Sequence, residues 1–68
     1  MTLHQELLVA HADGDKHRLA ELYERAADTA DTDAAKYFFL TQAYVFALDC
    51  GHKNVSSLGD LLRSANRL

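Results

Sequence analysis

The feature that most constrains this chain is an 18-residue segment, residues 33–50, that reads DAAKYFFLTQAYVFALDC. Thirteen of these residues are apolar, and they include five of the six aromatic residues of the chain. The apolar residues neither alternate with polar ones, as in a half-buried strand, nor keep to one stripe at helical spacing. A helix that is apolar on nearly every side packs against neighbours on several sides. We therefore predict that this segment is the central, buried helix of an all-α fold, with most of Phe38, Phe39 and Phe46 in the core.

Capping signals divide the rest of the chain into three further helices. Thr2, followed by Gln5 three residues later, forms the capping-box pattern that starts a helix. Gly14 suits the left-handed position that ends one. The other candidate N-cap residues are Asp15, Asp31 or Thr32, and Asn54. These signals predict a single domain, residues 1–68, with helices at about residues 3–12, 16–29, 33–50 and 55–67.

The fourth predicted helix carries one apolar face that continues to the last residue of the sequence. Its members are Val55, Leu58, Leu61, Leu62, Ala65 and Leu68. A helix laid on one neighbour rarely hides so wide a stripe, so we predict residual apolar surface at Leu58, Leu62 and Leu68. Exposed patches of this kind usually mark association sites. These three residues are therefore a candidate association edge.

Composition and charge exclude several classes of partner. The chain has 68 residues, a net charge of −3 with His neutral, and no cluster of Lys and Arg. Nucleic-acid binding needs a basic face that displaces counterions from phosphates. The longest apolar run, residues 43–48, is far shorter than the roughly 20 residues that cross a bilayer, and the first residues lack the basic start of a signal peptide. We expect neither a nucleic-acid nor a membrane partner, and the single cysteine, Cys50, favours a reducing, cytoplasmic setting.

The histidines and the cysteine do not form a convincing metal or catalytic motif. His4 and His11 are seven residues apart, whereas zinc ligands on one helix are usually three or four apart. Cys50 and His52 form one Cys-x-His pair, but zinc needs three or four converging ligands. Cys50 also lies at the predicted C-terminal end of a helix, where the dipole disfavours a thiolate. We expect no bound metal, no cofactor and no catalytic activity.

Residues 14–27, GDKHRLAELYERAA, resemble the second helix of a tetratricopeptide repeat, in which Gly-Asp precedes apolar, aromatic and small residues at helical spacing. In the third segment, Tyr37, Leu40 and Tyr44 keep the spacing of the first helix of a following repeat. Residues 57–62, SLGDLL, resemble the Leu-Gly start of the Sel-like branch of these repeats. The third segment is about one turn too long for the family, and the two halves of the chain match each other poorly. The resemblance implies two antiparallel hairpins of two helices each.

The resemblance also implies a function in protein–protein interaction. In this family the first helix of each hairpin lines a concave groove that holds a peptide or a partner helix. Phe38, Gln42 and Val45 are then the candidate groove residues, and Gln42 could hydrogen-bond a peptide backbone. The alternative is a structural or regulatory homo-oligomer that closes through the fourth helix. Both hypotheses require unpaired apolar surface, so the sequence leaves both open.

Overall fold

The computed structural model describes residues 1–67, which form four α-helices. They are α1 (Leu3–Asp13), α2 (Lys16–Asp28), α3 (Asp33–Cys50) and α4 (Val55–Ser64). No strand occurs in the described residues, so the predicted all-α class with four helices is confirmed. The fourth helix ends at Ser64, before the predicted residue 67. Asn66 there takes a φ of 58°, a left-handed conformation that asparagine tolerates and that ends a helix.

Side-chain caps start the first three helices. The Thr2 hydroxyl oxygen accepts a hydrogen bond from the Gln5 N–H at 3.2 Å, and the Gln5 side-chain oxygen accepts from the Thr2 N–H at 2.9 Å. This completes the predicted capping box. Gly14 has a φ of 66°, which costs glycine little because it has no Cβ. The caps of α2 and α3 are Asp15 and Thr32.

Asn54 occupies the N-cap position of the fourth helix, as the sequence predicts, but its side chain does not cap the helix. Its side chain makes no capping hydrogen bond, and its amide donates to the Glu24 carboxylate of α2 at 2.9 Å. A charged acceptor forms a stronger hydrogen bond than a neutral one. The side chain is therefore used to attach the α3–α4 connection to α2.

The helices pack in chain order within a thin layer. Helix α2 contacts α1 and α3, and α3 contacts α2 and α4. The protein measures 31 × 28 × 13 Å. The most extensive contact is between α2 and α3, where four buried alanines let the two backbones approach closely: Ala20, Ala27, Ala43 and Ala47.

Helix α3 has neighbours on two sides, but part of its apolar surface stays exposed. It packs against α2 and α4, in agreement with the prediction of a central helix. However, Phe38, Val45 and Leu48 are 58%, 45% and 53% exposed, so Phe38 is not a core residue. Phe39 and Phe46 are half-buried. Across residues 1–67, no helix combines the length and the apolarity needed to cross a membrane.

The candidate association edge on α4 is corrected by the structure. Leu58 and Leu62 are 0% and 1% exposed, so they belong to the core and present no surface to a partner. Leu68 lies outside the described residues. The large apolar residue that α4 does expose is Leu61, at 49%.

Close approach of α4 to α3 explains why one neighbour buries this face. Gly59 is itself buried, and a Cβ placed on it would lie 3.3 Å from Cε1 of Tyr44 in α3. The ring of Tyr44 therefore occupies the space that a larger residue at position 59 would need. This contact brings Leu58 and Leu62 into the core cluster formed with α2 and α3.

Candidate functional site

An open groove, called here the α1–α3 groove, lies between α1 and α3 with α2 as its floor. Its volume is about 600 Å³. Leu7 and Leu8 line it from α1, Phe38 and Phe39 line it from α3, and Ala26 lies on the α2 side. Leu8 and Phe38 are 57% and 58% exposed. Both helical walls of the groove thus present apolar side chains to solvent.

An aromatic cluster joins the two walls to the floor. The Tyr23 ring of α2 stacks on Phe46 and Phe39 of α3, with centroid distances of 5.8 and 6.2 Å. Phe39 and Phe46 are seven residues apart, two helical turns, so they lie on one face of α3 and both reach Tyr23. His11 of α1 meets Tyr23 and Phe46 edge-on at 5.8 and 5.9 Å, and its Nε2 lies 2.8 Å from the Tyr23 hydroxyl. Side-chain contacts therefore set the position of α1 relative to α3.

An ion-pair network holds α1 against α2 on another side. The Glu6 carboxylate of α1 accepts hydrogen bonds from Arg18 at 2.8 Å and from Arg25 at 3.2 Å, both in α2. The Glu6 side chain is only 18% exposed, while the two arginines are about half exposed. A network with a partly buried member is worth more than an isolated surface pair. It anchors the helix that forms one wall of the groove.

Most polar groups that line the α1–α3 groove are already hydrogen-bonded within the protein. The Thr29 hydroxyl donates to the Ala26 carbonyl at 3.2 Å, Thr32 accepts from an α3 backbone N–H, and His11 pairs with Tyr23. Two lining residues, His4 and Asp31, have no side-chain hydrogen bond or ion pair within residues 1–67. The groove therefore offers apolar walls and two free polar side chains.

The structure brings only one of the three candidate groove residues into this groove. Phe38 lines it, whereas Gln42 and Val45 do not. Gln42 is half-buried and Val45 is 45% exposed. Sequence reasoning also missed the α1 wall. The residue that could have indicated this wall is Leu8, an apolar residue that lies outside the stripe formed by Leu3, Leu7 and Ala10 in the first helix.

A second cluster of polar side chains lies at the α3–α4 connection. Ligand-type atoms of His17, Glu21 and His52 lie within 4.8 Å of one another. His52 is only 4% exposed, and its ring centroid lies 4.3 Å from that of His17. In the sequence, this cluster is indicated only by the spacing of His17 and Glu21, which are four residues apart and so lie on one face of a helix. Among the residues considered above as possible metal ligands, His52 belongs to this cluster, whereas His4, His11 and Cys50 do not.

Hydrogen bonding around His52 argues against a metal in this cluster. The Asn54 backbone N–H donates to Nδ1 of His52 at 3.0 Å, so Nδ1 is an acceptor and the hydrogen of the neutral ring resides on Nε2. That nitrogen donates to the Glu21 carboxylate at 3.2 Å. A metal ligand must offer a lone pair, which a protonated Nε2 lacks. The cluster is therefore a structural link between α2 and the α3–α4 connection.

Comparison of this chain with protein-family models, with curated proteins and with solved structures finds no match. Its function must therefore be inferred from its own residues. Of the two clusters described, the α1–α3 groove is the one open to a partner.

Proposed function

We propose that this chain is a protein-interaction module that holds a helical segment of a partner protein in the α1–α3 groove. The observation that carries the proposal is the pair of exposed apolar walls, with Leu8 at 57% and Phe38 at 58% exposure. Apolar surface gathered on two sides of one groove commonly marks a protein-binding site. The resemblance of residues 14–62 to tetratricopeptide-like repeats supports the same class of function.

The chemistry of the groove favours a helix over an extended peptide. An extended peptide leaves its N–H and C=O groups in need of partners. The backbone groups of the lining helices are largely used in their own helices, and Gln42, the side chain expected to supply a bond, does not line the groove. A helix satisfies its own backbone and needs only apolar contacts along one face. An amphipathic helix is therefore the occupant that the groove suits.

The alternative function, a homo-oligomer that closes through the fourth helix, has less support, because α4 exposes little apolar surface within residues 55–67. Leu58 and Leu62 are buried, and Leu61 alone is a small contact. Self-association through the α1–α3 groove is a separate possibility, and the experiments below distinguish it from binding of another protein.

The proposal is tested with helical peptides selected by display for binding to the full chain. Their affinities are then measured for two variants, Phe38→Ser and Val45→Ser. Both change an exposed apolar residue of α3, but only Phe38 lines the groove. We expect Phe38→Ser to weaken binding at least about tenfold, equivalent to ~1.4 kcal/mol, and Val45→Ser to leave it nearly unchanged. Equal effects of the two variants, or failure to select any helical binder, would contradict the proposal.

A further inference from the structure

One end of the α1–α3 groove carries negative charge that the protein does not neutralise. Asp31, in the connection between α2 and α3, lines the groove. Asp28 and Asp33 lie within three residues of it, and all three are exposed. None of them takes part in an ion pair within residues 1–67. The nearest cations in the sequence are engaged elsewhere: Arg25 pairs with Glu6 at 3.2 Å, and the Lys36 ammonium lies 5.6 Å from the ring centroid of Tyr37.

Helix capping does not account for two of these three carboxylates, Asp28 and Asp31. Asp33 lies in the first turn of α3, where a negative charge complements the helix dipole. Asp28, in contrast, is the last residue of α2, where the dipole is negative and a carboxylate is unfavourable. Asp31 is not the cap of α3, because Thr32 fills that position. Asp28 thus adds charge at the α2–α3 connection without stabilising α2, and Asp31, although it lies near the positive end of the α3 dipole, is not needed as the cap of that helix.

We propose that the helix bound in the α1–α3 groove presents a lysine or arginine to Asp31 at the α2–α3 connection. This inference rests on the proposed function and adds the charge and the orientation of the partner. The apolar face of the partner helix lies between Leu8 and Phe38, and its basic residue lies over Asp31. Charge pairs at the rim of an interface mainly set orientation and association rate. The acidic end therefore selects helices that are basic at one end and disfavours acidic ones.

Synthetic peptides of about 16 residues, a length that supports a helix when bound, provide the test. All peptides share one apolar face and differ only in their charged residues. Each carries either two lysines or two glutamates, placed at either its N-terminal or its C-terminal end. Affinities for the full chain are measured by isothermal titration calorimetry at low and high salt. Of the two lysine peptides, we consider the one that binds more tightly. At low salt its affinity should be about 5–10-fold higher than that of the glutamate peptide with its charges at the same end. The ratio should approach one near 1 M salt, where the Debye length is about 3 Å.

Two variants that lose the same charge assign the effect to one end of the groove. Asp31→Asn should lower the lysine-to-glutamate affinity ratio several-fold, to near one. Asp60→Asn is the matched control, because Asp60 is an exposed residue of α4 that pairs with Arg63 and does not line the groove. It should leave the ratio unchanged. Circular dichroism checks that both variants keep the helical content of the parent.

The outcomes separate this inference from the proposed function. Binding of both peptide types with equal affinity, unaffected by Asp31→Asn, would overturn the charge inference and leave the groove as a helix-binding site. Tighter binding of a glutamate peptide would do the same. Binding of neither type would overturn both proposals. A dimer detected by sedimentation and disrupted by Phe38→Ser would identify a second copy of the chain as the occupant, and would also overturn both.

Discussion

The burial of the α4 face is best tested with two leucines of the same helix. Leu58 and Leu61 are three residues apart in α4, yet Leu58 is 0% exposed and Leu61 is 49% exposed. Substitution of each by alanine removes the same atoms in the same helix. The difference between the two variants therefore reports burial, with intrinsic helix preference largely cancelled.

The expected magnitudes follow from the environment of each side chain. Leu58→Ala loses the transfer free energy of a buried side chain and leaves a cavity in the core cluster, a loss of about 2–5 kcal/mol. Leu61→Ala leaves no cavity and loses only a partly buried contact, so we expect about 1 kcal/mol or less. A domain of this length has a free energy of unfolding of about 3–10 kcal/mol. Leu58→Ala should thus remove a large part of the total stability, and Leu61→Ala a small part.

Urea denaturation followed by circular dichroism measures both variants. The m-value should stay close to that of the parent, so that the change in midpoint reports stability alone. In a thermal scan, a loss of about 3 kcal/mol corresponds to a decrease in Tm of about 12–24 °C for a domain of this size. Equal losses for Leu58→Ala and Leu61→Ala would refute the argument that α4 buries Leu58 and exposes Leu61.

Three further predictions concern the contacts of α4 and of the α3–α4 connection. A Cβ at position 59 would lie 3.3 Å from the Tyr44 ring. In a double-mutant cycle of Gly59→Ala and Tyr44→Ala, measured by urea denaturation, we therefore expect a coupling free energy of about 0.5 kcal/mol or more. Additive effects of the two substitutions would contradict the close approach. His52→Ala should lower the free energy of unfolding by about 1–3 kcal/mol, because it leaves the Asn54 N–H without its acceptor. His4→Ala, a change at an exposed histidine, should be nearly neutral. Added zinc should leave the Tm of the parent protein unchanged, and a clear rise would contradict the hydrogen-bonding argument against a metal at His52.

Local signals account for the part of the fold that was predictable from the sequence. Thr2 and Gln5 form a capping box through contacts within one turn, and Gly14 adopts the left-handed conformation that its lack of a Cβ allows. Such features depend on a few adjacent residues, so helix starts and the all-α class were predicted correctly. Asn54 lies at the predicted cap position of α4 but makes no side-chain cap, and its amide N–H donates instead to Glu24, which is far away in the sequence.

Tertiary contacts account for the part that was not predictable. The width of the apolar face of α4 suggested exposure at Leu58 and Leu62, but its burial depends on how closely α4 approaches α3 at Gly59. Likewise, the sequence does not distinguish an apolar residue in the core from one on the wall of a groove, as Phe38 illustrates. His52 and Glu21 are 31 residues apart, and nothing in either local sequence indicates that they meet. The candidate site was therefore predicted only at Phe38.

Packing in chain order has a consequence for how this protein folds and opens. Since each helix contacts the helices next to it in the chain, most contacts join segments close in sequence, and low contact order is associated with fast folding. The backbones of the outer helices, α1 and α4, each pack against one helix, whereas those of α2 and α3 each pack against two; α1 reaches α3 through side chains such as His11 and Phe46. Amide hydrogen exchange should accordingly be slowest in α2 and α3, with α1 and α4 opening at lower free energy. Because α1 is one wall of the groove, such local opening would let the groove widen for an incoming helix without global unfolding.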